Sequence, residues 1–214
     1  MAFVTLRDRA SLPVVALALS AVAAVAACGQ SPEGESGSSS SVSSSASAPA
    51  SSTPTASTPS ASLSGAALSA ISRPPSGGGI GLLRAARLAS QSGYDRFVLE
   101  FSGALPGYDV RYVDGPIRAD PSDQVLAVDG SAYLLIRLEP ASGVDLMADG
   151  APTTYTGPGV IRGDTVVVRE AVAAGDFEAV MSWVLGVDGR QAFRVTELTG
   201  PPRLVIDVST NASF

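Results

Sequence analysis

Histidine and lysine are absent from the 214 residues, cysteine occurs once, and aromatic residues make up only 6%. Without histidine, neither a Ser-His-Asp nor a Cys-His catalytic arrangement can be assembled. A single thiol with no imidazole leaves no zinc or copper site of the usual N/S type and no intramolecular disulfide, so no metal and no cofactor is expected. Positive charge is also scarce. The 14 basic residues, all arginine, stand against 20 acids, which gives a formal charge of −6. Nucleic-acid binding needs a basic patch or stripe, and this acidic chain has no basic block, so DNA and RNA are not expected partners.

Long apolar runs are missing apart from one near the N-terminus. Arg7 and Arg9 precede a 16-residue apolar stretch from Leu12 to Ala27, interrupted by Pro13 and Ser20. As a helix this stretch rises ~24 Å, short of the ~30 Å hydrocarbon core of a bilayer. Residues 1–27 therefore read as a secretory signal peptide and not as a membrane span. Val25-Ala26-Ala27-Cys28-Gly29 comes next, and it resembles the bacterial lipobox, in which the cysteine is diacylated and becomes the new N-terminus. That resemblance implies a lipid anchor on Cys28 and a place on the extracytoplasmic face of the cell membrane. Several buried acyl chains at ~0.8 kcal/mol per CH₂ hold a protein far better than one. The competing reading is ordinary signal-peptidase cleavage near Ala27.

Residues 28–79 read as a linker. Between Ser31 and Ser62, 27 of 32 residues are Ser, Thr, Pro or Ala, a composition that cannot bury enough apolar surface to offset the entropy of ordering. Treated as a flexible coil, the roughly fifty residues span ~40 Å and extend to at most ~170 Å. Such a segment serves as a plain spacer or as a stalk carrying O-linked sugars, and on this composition it adds nothing to the stability of the domain after it.

From residue 80 to 214 the pattern changes to alternating apolar and polar residues, within the usual size of one domain. Turn signals recur about every ten residues, as in an all-β sandwich or barrel. Phe97, Leu99 and Phe101 share one face of a strand; so do Tyr108, Val110 and Tyr112, and Leu134, Ile136 and Leu138. Asp129-Gly130 predicts a type I′ hairpin between Gln124–Val128 and Ala132–Glu139. Further strands are expected over Thr165–Glu170, over Phe177–Val187 after a Gly175-Asp176 turn, over Phe193–Leu198 and over Arg203–Val208, the last three forming an antiparallel meander. Leu82–Ala89 fits a helical stripe about as well as a strand and is taken as a strand.

Gly93-Tyr94-Asp95-Arg96-Phe97-Val98-Leu99-Glu100-Phe101, Ala132-Tyr133-Leu134-Leu135-Ile136, Phe193-Arg194-Val195 and Pro202-Arg203-Leu204-Val205-Ile206-Asp207-Val208 together resemble the AMIN-like domain of actinobacterial lipoproteins. The resemblance implies an antiparallel β-sandwich of two small sheets, related to the AMIN domain that localises wall amidases and secretion pores on peptidoglycan. It implies a binding module and not an enzyme, since no amidase domain comes after Val208 and there are no zinc-binding histidines. The expected partner is peptidoglycan. The alternative is an envelope protein, with the domain regulating or localising a wall hydrolase or secretion complex through an exposed sheet edge.

The candidate ligand-binding residues are Tyr94, Arg96, Tyr133, Arg137, Tyr155, Arg203 and Asp207. Arginine offers a bidentate fork to carboxylates, and the tyrosines offer faces on which sugars stack. Arg203 with Asp207, and Arg96 with Glu100, stand four residues apart on one face of their strands, equally readable as a solvated ion-pair ladder. Trp183, in the company of Met181, Leu185 and Val187, reads as core. Tyr155 reads either as a loop contact or as a ring that caps the core. The aspartates 114, 120, 123 and 129 lack the spacing of a calcium loop and read as acidic surface.

Overall fold

A computed structural model describes residues 63–211, all within one compact unit. Cys28, the Ser-rich segment 31–62 and residues 1–27, expected to be a signal peptide, lie outside the described residues. There are eleven strands and, among the described residues, no helix: β1 (Ile71–Arg73), β2 (Gly81–Gln91), β3 (Tyr94–Gly103), β4 (Gly107–Val113), β5 (Ala132–Glu139), β6 (Ala141–Ser142), β7 (Val160–Ile161), β8 (Val168–Phe177), β9 (Val180–Val187), β10 (Phe193–Leu198) and β11 (Arg203–Ser209). They form a six-stranded sheet in the order β1-β4-β5-β9-β8-β7 and a five-stranded sheet in the order β10-β11-β3-β2-β6. Every pairing is antiparallel except the short β2–β6 contact.

The two sheets pack face to face, and the expected alternation supplies the filling. Phe97, Leu99 and Phe101 from β3 meet Leu134, Ile136 and Leu138 from β5 and Trp183 and Leu185 from β9, all of them buried. Trp183 is the largest of these, with its ring 5.5 Å from that of Phe97 across the sandwich. The all-β sandwich reading of the sequence thus holds, and so does the strand reading of Leu82–Ala89. A bulge between Leu83 and Ala85 moves the inward phase of β2 from Leu83 to Ala86. A spacing of three imitates a helical period, which is why that segment is ambiguous on paper.

Several expectations are corrected. Gln124–Val128 is not a strand, and Asp129-Gly130 is not a hairpin turn. The chain there crosses the outer face of the six-stranded sheet, where Leu126 and Val128 cover Val184 with Ile117 and Ala174. The crossing requires Gly186, because a Cβ there would lie 1.8 Å from the Asp129 carbonyl oxygen. Thr165 to Val167 is loop, and β8 starts only at Val168. The cause is the buried Asp95 carboxylate, which accepts the N–H groups of Val166, Val167 and Val168 at 2.7–3.1 Å and clasps the loop to β3.

Gly175-Asp176 is no turn either: Gly175 lies inside β8, against the Asp120 backbone. The β8–β9 hairpin turns at Glu178-Ala179, with φ of 50° and 59°, a type I′ geometry built without glycine. The final meander does not form, because β9 belongs to the six-stranded sheet and the chain changes sheets before β10. Nor is all of 28–79 linker. Ile71–Arg73 pairs with β4, Ala67 bridges Phe193 of β10, and Ile71 packs on the core. Three residues that gain rungs from an existing edge carry no periodic signal of their own.

Candidate functional site

Outward-facing residues of the five-stranded sheet fall into rows fixed by the register. One row sets Arg194 of β10 against Asp207 of β11, and Asp207 against Arg96 of β3. Asp207 is fully buried. Arg96 donates to both of its oxygens, Nε at 2.7 Å and Nη2 at 2.9 Å, and Arg194 Nη2 donates at 2.7 Å. A carboxylate held by two guanidinium forks has its charge fully compensated, as burial requires. The same hydrogen bond raises the pKa of Arg96 against the opposing effect of its burial. The Tyr94 ring lies under the Arg96 guanidinium, 5.1 Å from centroid to carbon.

Two rows away, Arg203 stands opposite Glu100, and Glu100 opposite Ala85. Glu100 is taken by Arg87, whose Nη1 donates at 3.2 Å. Between these rows Val205 of β11, in register with Val98 of β3, is buried although it faces outward. In a domain that is acidic overall, cations outnumber acids on this face.

Of the seven candidate residues, Tyr94, Arg96, Arg203 and Asp207 come together here, contributed by two adjacent strands. The ladder is cross-strand: Asp207 pairs with Arg96 and Arg194 and not with Arg203, while Glu100 pairs with Arg87 and not with Arg96. Tyr133 and Arg137 lie on the outer face of the other sheet. Tyr133 packs beside Leu135 and against Gly115. Arg137 pairs with Glu139 at 2.6 Å and borders a shallow cavity of about 410 Å³ with Arg73, Tyr108 and Asp109. Tyr155 caps the core, its ring set edge-on to Trp183 at 5.9 Å and its hydroxyl donating to the Pro158 carbonyl at 2.8 Å. Burial raises its pKa. Asp114 and Asp123 are paired with Arg190 and Arg118.

Arg194, Arg87 and Arg84 belong to this region and were not singled out from the sequence. A signal for Arg194 was present: a hairpin closed by Gly200-Pro201-Pro202 that pairs Leu198 with Arg203 necessarily pairs Arg194 with Asp207. For Arg84 there was none, because its position depends on the bulge.

The family model described as AMIN-like domain matches residues 81–210. No curated protein and no solved structure matches the chain. Two of the motifs that carry the resemblance, Tyr94-Asp95-Arg96 and Arg203-Leu204-Val205-Ile206-Asp207, meet on neighbouring strands. Their polar members have separate tasks: Asp95 joins the sheets, while Tyr94, Arg96, Arg203 and Asp207 build the outer face.

Proposed function

The chain belongs to the AMIN-like domain family, and from this we propose that it is a non-catalytic cell-envelope module that binds peptidoglycan through the outer face of the five-stranded sheet. The observation that carries the reading is this face: an arginine-rich, half-buried surface on a chain of net charge −6, flanked by the Tyr94 ring. Wall glycopeptide offers hydroxyls, amides and carboxylates, which suit guanidinium forks, and sugar faces, which suit a tyrosine. In this reading Cys28 is diacylated and tethers the domain to the extracytoplasmic face of the membrane, with the Ser-rich segment spanning the distance to the wall.

Co-sedimentation of the purified full chain with washed sacculi, at low and physiological salt, tests the binding. Pelleting at both salts is expected, with an at least tenfold loss for Arg203→Gln. A chain that stays in the supernatant points instead to a protein partner on the edge of β10, which among the described residues is bridged only at Phe193. For the anchor, Cys28→Ala is expected to move the protein from the membrane to the soluble fraction in cell fractionation. Persistence in the membrane would sink the lipid-anchor reading.

A further inference from the structure

Ten of the twelve described arginines have a carboxylate within 4.0 Å. The two without one, Arg84 and Arg203, stand at the same end of the outer face. Arg203 lies directly opposite Glu100 on β3, and Arg84 is the extra residue of the bulge beside Ala85, which lies opposite Glu100 from the other side. Strands β2 and β11 flank β3, so their backbones are roughly 10 Å apart. Arg84 is exposed and Arg203 half-buried, and the Nε of Arg203 is buried with no hydrogen-bond partner. A buried N–H on a charged fork without an acceptor is a standing cost that an incoming anion removes. Glu100 does not meet the need, because Arg87 occupies it.

We propose that Arg84 and Arg203 form a carboxylate subsite that reads the acidic stem peptides of the wall and not its neutral glycan. The subsite rests on the wall-binding reading and names the chemical group recognised. Each planar guanidinium matches one carboxylate through two parallel N–H bonds. With Arg87 and Glu100 neutralising each other, the two forks leave an excess of two positive charges at this end. Successive carboxylates of an acidic peptide lie at a spacing comparable with the two interstrand spacings that separate the forks. Phosphate polymers and anionic lipid surfaces suit the site less well, because Glu100 sits between the forks and the acidic remainder of the domain repels a dense polyanion.

The test compares the full chain on intact sacculi with the full chain on sacculi whose carboxyls have been converted to neutral methylamides by carbodiimide and methylamine. Retention is expected to fall at least tenfold on the amidated wall. The Arg84→Gln/Arg203→Gln variant should bind both preparations equally, at the lower level, while Arg84→Lys/Arg203→Lys recovers part of the preference through charge alone. An unchanged melting temperature of the variants rules out misfolding as the cause. Equal retention of the unaltered chain on both walls overturns the carboxylate subsite and leaves wall binding standing. Retention on neither overturns both. Binding to phosphatidylglycerol vesicles that is lost in the Gln variant overturns the subsite in favour of a phosphate surface.

Discussion

Asp207 shows how much one side chain decides at the residue scale. It occupies an outward position, where period-2 patterning expects a solvated group, yet it is fully buried beneath Arg96 and Arg194. Removing Asp207 leaves two guanidiniums without their acceptor, each about one-third exposed and so partly solvated, which typically costs about 1–3 kcal/mol. Asp207→Ala is therefore expected to destabilise the fold by about that amount in a denaturant melt, because Arg96 and Arg194 would face each other across an empty position. A loss below about 1 kcal/mol would show the triad to be a surface ladder of ordinary strength. Inward residues were legible in the sequence, since burial of every second side chain needs only local alternation. Of the partners of Asp207, Arg194 follows from the register of the local hairpin, but Arg96 does not, because it stands 111 residues away on a strand whose register no local pattern records.

Strands and their junctions were legible unequally at the element scale. β3, β4, β5 and β11 stand where alternation puts them. Turn positions depart from the sequence pattern where a glycine serves close approach, as Gly175 does against the Asp120 backbone, or where a turn is built without one. Glu178 and Ala179 both hold positive φ, a region that costs ordinary L-residues about 1–2 kcal/mol. Asn-Gly is the sequence best suited to a type I′ turn. The Glu178→Asn/Ala179→Gly variant is accordingly expected to gain about 1 kcal/mol, or about 2–4 °C in melting temperature by calorimetry, after the flexibility that glycine adds to the unfolded chain is counted. A lower melting temperature would mean that the native side chains at the turn contribute more than their backbone strain costs.

Two sheets at the scale of the whole molecule are closed by segments from far away in the chain. β1 extends the six-stranded sheet beyond β4, Ala67 bridges the far edge of the five-stranded one, and the Pro75 ring lies against Gly107. A chain that begins at Leu63 keeps these contacts; one that begins at Ile80 loses all of them. The shorter chain is expected to be less stable by about 2 kcal/mol, chiefly from exposing the core beneath Ile71. Its melting temperature should fall by about 4–8 °C. Equal melting temperatures would show that residues 63–79 only rest on the domain.

The sequence by itself determined the class of the fold and the membership of its core, since period-2 alternation over short segments separated by turn residues leaves few ways to bury the apolar faces other than two packed sheets. It also determined that this chain has no histidine-dependent chemistry and no intramolecular disulfide, because both depend on residue types alone. Tertiary structure decided which strands pair, that β9 and β10 part into different sheets, and that the polar ends of two motifs join with Arg194, Arg87 and Arg84 on one outer face. Such features arise from contacts between residues distant in sequence, where a one-residue change of register or a single bulge turns a side chain to the opposite face, and no local pattern records that choice.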